Sequence, residues 1–219
     1  MLALAEDLSH PESRGAIVSR LDASEMDVQV CAINAAAKLV GDRSVVEAII
    51  IISRKSPDAR VRLECVTSLR EAASDDAACE RLLELTRDPD STVRSQAVDA
   101  LATVVSNPRV KAHLLGLTRD NEAYMRSRAA YGLRGVVSDP HVEQRFRELI
   151  EDPDDDVFWR GVETLLERNA LDVTMMLDRG SRRLSRGASW VHLRVFEALV
   201  LAAETDKRQP RARAKAPAR

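Results

Sequence analysis

Arginine and aromatic side chains at recurring positions are the groups in this sequence whose types and spacing indicate chemistry. Arg128, Arg160 and Arg194 occupy one position of three successive similar segments, in a chain of which only 3% is aromatic. Arg, Tyr and Trp are the residue types enriched at the energetic centres of protein interfaces. We therefore predict a partner-binding surface, with Trp159 as its apolar anchor. Its predicted members are Arg128, Tyr131, Arg134, Trp159, Arg160 and Arg194.

The common catalytic and metal-binding signatures do not occur in the sequence. It has no Gly-rich phosphate loop, no Gly-x-Ser-x-Gly elbow and no His-Glu-x-x-His motif. The three cysteines are not spaced as a metal or redox pair, and the acidic run Asp152–Asp156 lacks the central Gly and terminal Glu of a calcium loop. We predict no catalytic residue, no cofactor and no metal, and hence a protein that is not an enzyme.

The elements that position these side chains follow from an internal repeat. Four similar segments begin at Pro57, Pro89, Asn121 and Pro153, a constant spacing of 32 residues without a gap. In each segment apolar or small residues stand at offsets of zero, four, five and eight, which places them on one face of an α-helix. The four rows are Val61, Val93, Met125, Val157; Cys65, Ala97, Ala129, Gly161; Val66, Val98, Ala130, Val162; and Leu69, Leu101, Leu133, Leu165.

A shorter helix is predicted before each of these helices, so that each repeat is a helix pair. It is marked by Leu82 and Leu85, by Leu114 and Leu117, and by the corresponding pair Phe146 and Leu149. The turns between the two helices are acidic, and we expect them to supply an N-cap carboxylate followed by proline at the first helical position. These turns are Asp88-Pro89-Asp90, Asp120-Asn121-Glu122 and Asp152-Pro153-Asp154.

Weaker copies of the pattern around residues 28–36 and 191–199 extend the array to about six helix pairs. We predict one domain over residues 1–205 and a disordered, basic tail over residues 206–219, with residues 179–187 forming a loop or frayed helix end. The tail holds six Lys or Arg residues, so a chain of net charge −2 has an acidic body. No segment has the pattern of a membrane span or secretory signal, which predicts a cytoplasmic protein, and the Arg- and Ala-rich composition is typical of a GC-rich bacterial genome.

The recurring pattern Pro-Asp-x-x-Val-Arg-x-x-Ala-Val-x-x-Leu, clearest in residues 89–101, resembles HEAT repeats, particularly the short type of phycobilin lyases. The resemblance covers residues 14–205 and implies an all-α, right-handed α-solenoid. The His-Glu pairs that serve as ligands in HEAT-type diiron hydroxylases are missing here.

The repeated arginine of the HEAT pattern corresponds to Arg62, Arg94 and Arg126. It points inward, and we expect it to pair with an acidic turn residue of its own or a neighbouring repeat, such as Asp58, Asp90 or Glu122. Phe158 stands at this position in the fourth copy, so the ladder is expected to break there, through altered packing or a docked partner.

The resemblance implies that the side of the second helices opposite the apolar stripe lines a concave surface. On that surface we expect the arginine and aromatic residues of the C-terminal half to bind an acidic segment of a protein partner, as in a non-catalytic scaffold or adaptor.

Two other functions remain open from the sequence. One is a phycobilin-lyase-like chromophore attachment factor, which the repeat type permits. The other is a HEAT-like DNA glycosylase or another nucleic-acid-binding protein, indicated by Trp159, Glu163, Arg194 and the basic tail. The acidic body disfavours nucleic acid as the partner.

Overall fold

The structure is a computed structural model that describes residues 11–184 and 189–208. Across these residues it contains twelve α-helices and no strand, so the predicted all-α class and the six helix pairs are confirmed. The second helices begin at Ala59, Ser91, Ala123 and Asp155, again 32 residues apart. The helices are α1 Pro11–Val18, α2 Met26–Ala36, α3 Arg43–Lys55, α4 Ala59–Arg70, α5 Asp76–Leu85, α6 Ser91–Ala102, α7 Pro108–Leu117, α8 Ala123–Leu133, α9 Pro140–Leu149, α10 Asp155–Glu167, α11 Val173–Leu184 and α12 Trp190–Arg208.

The chain divides into two compact units, Met1–Arg119 and Asp120–Arg219. In unit 1 the second helices pack in series, α2 against α4 and α4 against α6, and α3, α5 and α7 cover them. The predicted apolar rows form the core, where Ile33, Leu69 and Leu101 are fully buried. Because each row faces the neighbouring helix pair, stacking buries a continuous apolar layer that a single pair could not bury alone.

In unit 2 the helix α10 is central. It packs against α8 and α9 on one side and against α11 and α12 on the other. Met125, Leu133, Val162 and Leu165 of the predicted rows are buried, and Phe146 of α9 fills the space between them. None of the helices in the described part of the chain is both long and apolar enough to cross a membrane.

The roles of the residues in the acidic turns differ from those predicted. The second acid of each Asp-Pro-Asp turn is the N-cap, since Asp90 accepts hydrogen bonds from the backbone N–H groups of Thr92 and Val93. The proline therefore precedes the cap and is not the first helical residue, which corrects the sequence-based expectation. The first acid, Asp88, instead accepts the N–H of Asp90 and is left to bind an arginine.

That arginine comes from the preceding repeat. Arg62 donates from Nε and Nη2 to the two carboxylate oxygens of Asp88, at 2.7 and 2.8 Å, and Arg126 holds Asp152 in the same way at 2.9 Å. The inward direction of the ladder is thus as predicted, and for Arg62 and Arg126 the carboxylate belongs to an acidic turn of the neighbouring repeat, as expected. The turn residue is Asp88 or Asp152, however, and not Asp58, Asp90 or Glu122. Burial alone raises the pKa of Asp88, but the hydrogen bonds from Arg62 and from the Asp90 N–H outweigh burial and hold this pKa below its usual value.

Each ladder arginine also closes the turn in front of its own helix. The Nη1 group of Arg62 donates to the carbonyls of Ser56 and Pro57, six and five residues before it, and Arg94 and Arg126 make the same two contacts in their repeats. The guanidinium of Arg62 therefore joins the turn of its own repeat to a carboxylate of the next repeat. Arg126 does the same in its repeat.

In the fourth copy Arg183 of α11 takes over part of this role. Its Nη2 donates to the carbonyl of Asp152 at 2.7 Å, the carbonyl that an arginine at position 158 would reach, and its Nη1 donates to Asp155 at 2.8 Å. Its guanidinium lies 4.2 Å from the centre of the Phe158 ring. The substitution by Phe158 is thus compensated by an arginine from the next helix, which the sequence pattern did not reveal.

Two boundaries differ from those predicted. The helix α11 continues to Leu184, so residues 179–184 are helical and do not form a loop, and residues 185–187 lie outside the described residues. The helix α12 runs to Arg208, beyond residue 205. The rest of the predicted tail, residues 209–219, and the segment Met1–Ser9 lie outside the described residues.

Candidate functional site

An open groove of about 380 Å³ lies on the second-helix side of unit 2. It runs across α8, α10 and the beginning of α12, the part of the chain to which the sequence assigned the partner-binding residues. The lining residues are Tyr124, Ser127, Arg128, Asp154, Asp156, Trp159, Arg160, Glu163, Ser189, His192 and Val195. Of the six predicted residues, Arg128, Trp159 and Arg160 line the groove, whereas Tyr131, Arg134 and Arg194 are not among the lining residues.

The wall formed by α8 carries two tyrosines in contact with arginines. Tyr124 is 52% exposed, its hydroxyl accepts a hydrogen bond from Arg128 Nε at 3.0 Å, and the Arg128 guanidinium lies 5.3 Å from its ring centre. Tyr131, two turns further along, is 36% exposed and has the guanidinium groups of Arg134 and Arg160 at 4.2 and 5.0 Å from its ring centre. Cation–π contacts at exposed sites contribute about 0.5–1 kcal/mol each, so α8 presents two exposed rings that each lie against an arginine side chain.

Arg160 connects the walls formed by α8 and α10. Its Nη1 donates to Glu163, one turn further along α10, at 2.7 Å, and its guanidinium lies over Tyr131 of α8. Its Nε–H is buried and has no hydrogen-bond acceptor among the described residues. A buried donor without an acceptor costs about 1–3 kcal/mol, so an acceptor that reached this group would stabilise the side chain.

Trp159 does not stand on the exposed face, and the prediction of an exposed anchor is wrong. Its side chain is only 2% exposed because α11 and α12 close over it. The His192 ring stacks on it at 5.8 Å and the Phe196 ring meets it edge-on at 6.4 Å. A Cβ atom added to Gly180 would lie 2.7 Å from the indole, so glycine is what lets α11 approach. Trp159 therefore forms part of the floor of the groove.

His192 and Asp156 are a feature of the groove that sequence reasoning missed. His192 is buried, and its Nε2 lies 2.8 Å from an oxygen of the largely exposed Asp156 carboxylate. The two residues are 36 positions apart, and the one available signal was that His192 follows the start of the last helix by two residues. Their contact ties the start of α12 to the first turn of α10.

The groove is lined mainly by polar and charged side chains. Its polar groups are arginines, tyrosine and serine hydroxyls and carboxylates, many of them already engaged with one another. Asp154 caps α10 by accepting from the Val157 N–H, and Glu163 holds Arg160. Among the described residues no group of three or more His, Cys, Asp or Glu side chains is placed to hold a metal ion.

Stacked helix pairs with a second-helix groove define an α-helical repeat protein. Residues 46–134 match the family model described as HEAT repeats, which confirms the HEAT-repeat resemblance. The phycobilin-lyase type is not confirmed by this match. The comparison with curated protein sequences found no matching relative.

Solved structures of helical repeat proteins are similar to this chain. The archaeal HEAT-like repeats protein from Thermococcus onnurineus NA1 is 12% identical, with a TM-score of 0.54 and 91% of each chain covered. Cex1p is 15% identical with a TM-score of 0.55, covering 91% of this chain and 44% of that one. A designed armadillo repeat protein in complex with the peptide (KR)4 is 15% identical with a TM-score of 0.50, covering 85% and 98%. At these identities the likeness establishes the fold alone.

Proposed function

We propose that this protein is a non-catalytic scaffold or adaptor that binds a protein partner in the groove of unit 2. The observation that carries the proposal is the pair of exposed tyrosines on α8, each in contact with an arginine, at a groove that crosses three helices. Tyrosine and arginine contribute much of the binding energy at protein interfaces, and a ring that is already held in place loses little conformational entropy on binding.

The partner contributes an extended segment with acidic side chains. Arg128, Arg134, Arg160 and Arg194 are distributed over α8, α10 and α12, so a segment that crosses the three helices meets a cation on each of them. A designed armadillo repeat protein of similar fold holds a peptide, (KR)4, which supports a peptide-binding role for stacked helix pairs. Its peptide is basic, whereas we assign an acidic segment to this groove.

Two observations argue against the alternative that the groove binds nucleic acid. Trp159 is buried and cannot stack on a base, and the Glu163 carboxylate is hydrogen-bonded to Arg160. No observation on the groove favours the chromophore-attachment alternative. We further propose a cytoplasmic location, because Cys31, Cys65 and Cys79 are all free thiols.

The test is quantitative affinity purification of the tagged protein from its own cells, with the wild type compared with two double variants. Tyr124→Ala/Arg128→Ala removes one exposed tyrosine and the arginine that contacts it, both of which line the groove. Glu143→Ala/Arg147→Ala removes an ion pair from α9, outside the groove, and serves as the matched control. A partner that copurifies with the wild type and the control, but is reduced about tenfold or more with the groove variant, supports the proposal. Equal recovery with all three proteins contradicts it.

A further inference from the structure

Three arginines form a regular series across the groove side of unit 2. Arg128, Arg160 and Arg194 each lie three residues after the first residue of the apolar stripe of their helix, which is Met125 in α8, Val157 in α10 and Val191 in α12. Arg128 and Arg160 line the groove, and Arg194 is exposed on α12 outside the groove lining. These helices pack in sequence, α8 against α10 and α10 against α12. The axes of packed helices are about 8–10 Å apart. The bases of the three side chains therefore recur at roughly that interval.

This interval matches three residues of an extended chain. A β-strand advances about 3.2–3.4 Å per residue, so two residues cover about 6.6 Å and three cover about 10 Å. A polyproline II helix advances about 3.1 Å per residue and has three residues per turn, so every third side chain points in the same direction. A polyproline II segment with an acidic residue at every third position presents all of its carboxylates to such a series.

The central arginine is held in a way that favours exchange. Arg160 is paired with Glu163 of its own helix, at a separation of three residues, and the two side chains remain 25% and 34% exposed. Partly exposed pairs of this kind are weak. The buried Nε–H of Arg160 has no acceptor among the described residues, so this pose leaves hydrogen-bonding capacity unused. Once the side chain has turned out of this buried position, a carboxylate can bind Nε and Nη2 together and satisfy both donors.

The carboxylates of the groove are already engaged. Asp154 caps α10, Asp156 contacts His192, and Glu163 holds Arg160. Within the described part of the chain, Glu163 is the one of these three with an arginine as its hydrogen-bond partner, so it competes directly with an incoming acid.

We propose that the groove recognises a polyproline II segment with an acidic residue at every third position, and that Arg160 exchanges Glu163 for the central acid of that segment. This inference rests on the proposed function, because it specifies the partner segment of the same groove. It assigns Glu163 the role of an internal competitor that lowers the affinity of the free groove for acidic ligands.

The experiment measures the binding of synthetic peptides to the full-length protein by isothermal titration calorimetry. The first peptide repeats Glu-Pro-Ala three times, the second has the same composition with its glutamates at every second position, and the third replaces Glu by Lys. We expect the first peptide to bind about tenfold more tightly than the second and the third not to bind. Equal binding of the first two, or tighter binding of the lysine peptide, overturns the register.

Two substitutions test the exchange. Glu163→Gln removes the competitor and is expected to tighten binding of the first peptide several-fold, whereas Arg160→Gln is expected to weaken it about tenfold. Glu143→Gln on α9 is the control and leaves the affinity unchanged. Weaker binding by Glu163→Gln contradicts the exchange, because it means that Glu163 contributes to the site. If no acidic peptide binds while Tyr124→Ala/Arg128→Ala still loses the cellular partner, this inference fails and the proposed function stands.

Discussion

Replacing Arg62 by methionine tests the arginine ladder that joins the repeats. The side chains of Arg62 and Asp88 are only 11% and 4% exposed, and the substitution leaves the Asp88 carboxylate buried without its cation. Removing one partner of a buried ion pair costs about 3–5 kcal/mol. The carbonyls of Ser56 and Pro57 lose their donor as well, so we expect a loss in the upper half of that range.

The matched control is Arg54→Met, which breaks another arginine–carboxylate pair between repeats, Arg54–Glu84. The side chains of Arg54 and Glu84 are 54% and 41% exposed, and an exposed pair contributes less than about 1 kcal/mol. The double variant Arg62→Met/Asp88→Asn is expected to recover at least about 1 kcal/mol, because no charge remains buried. The comparison therefore separates the buried charge from the loss of side-chain packing.

The pH dependence of the loss has a definite sign. In the wild type the pKa of Asp88 is lowered, so the stabilisation that it contributes is present above its unfolded-state pKa of about 3.9 and is lost as pH falls through the folded-state value. In Arg62→Met burial acts without the arginine, and protonation of Asp88 relieves the buried charge. The difference in stability between the two proteins is therefore expected to shrink as the pH is lowered from 7 towards 4.

The assay is urea unfolding followed by circular dichroism, with hydrogen exchange of the α4 and α5 amides to localise the loss to these helices. Local exchange is needed because two compact units need not unfold in one step. If Arg62→Met loses no more unfolding free energy than Arg54→Met, or if its loss does not depend on pH, the buried Asp88 charge is not the cause of the loss.

Three further predictions concern single residues. Arg183→Ala removes the contact to Phe158 and the hydrogen bonds at the turn before α10. We expect it to lower the free energy of unfolding of unit 2, measured in urea, by about 1–3 kcal/mol, and a change below about 0.5 kcal/mol would contradict this role of Arg183. Burial and Arg87 lower the pKa of His113, so the unfolded chain binds a proton at this residue more readily than the folded chain does. The free energy of unfolding should therefore fall as the pH drops below about 6.5, and it should fall less in His113→Gln. Parallel curves of unfolding free energy against pH for the two proteins would exclude the effect. Burial raises the pKa of Cys65 to about 12, whereas Cys31 is exposed. In a thiol titration of the native protein at pH 8, Cys31 should therefore react rapidly and Cys65 only on unfolding. Early loss of the Cys65 thiol would contradict its burial.

The core could be predicted from the sequence because every repeat presents the same four rows at the same spacing. Val61, Val93 and Val157 are buried, as their period indicated. The direction of the ladder arginines was predictable for the same reason, since it depends on position within one helix. The choice of carboxylate was not: Asp88 lies 26 residues after Arg62, and only the packing of consecutive pairs brings them together.

The errors at the site have a common physical cause. Trp159 occupies a position that is half-buried in α4 and α8, as Leu63 and Ser127 show, but the last helix pair covers it. The insertion before α12 breaks the 32-residue period, so the repeat pattern could not predict which residues close over the indole. Arg183 was missed for the same reason, because its target is set by how α11 packs on α10 and not by the repeat pattern.

Site-specific photo-crosslinking in living cells tests the central claim, that a protein partner occupies the groove of unit 2, most directly. The photoreactive residue p-benzoylphenylalanine is placed at Tyr124 or Tyr131 on α8, and at Arg147 on α9 as a control. If a partner occupies the groove, the same protein is cross-linked from both α8 positions and not from Arg147. Cross-links to a protein from Arg147, with none from either α8 position, would show that the partner binds elsewhere and would contradict binding in the groove.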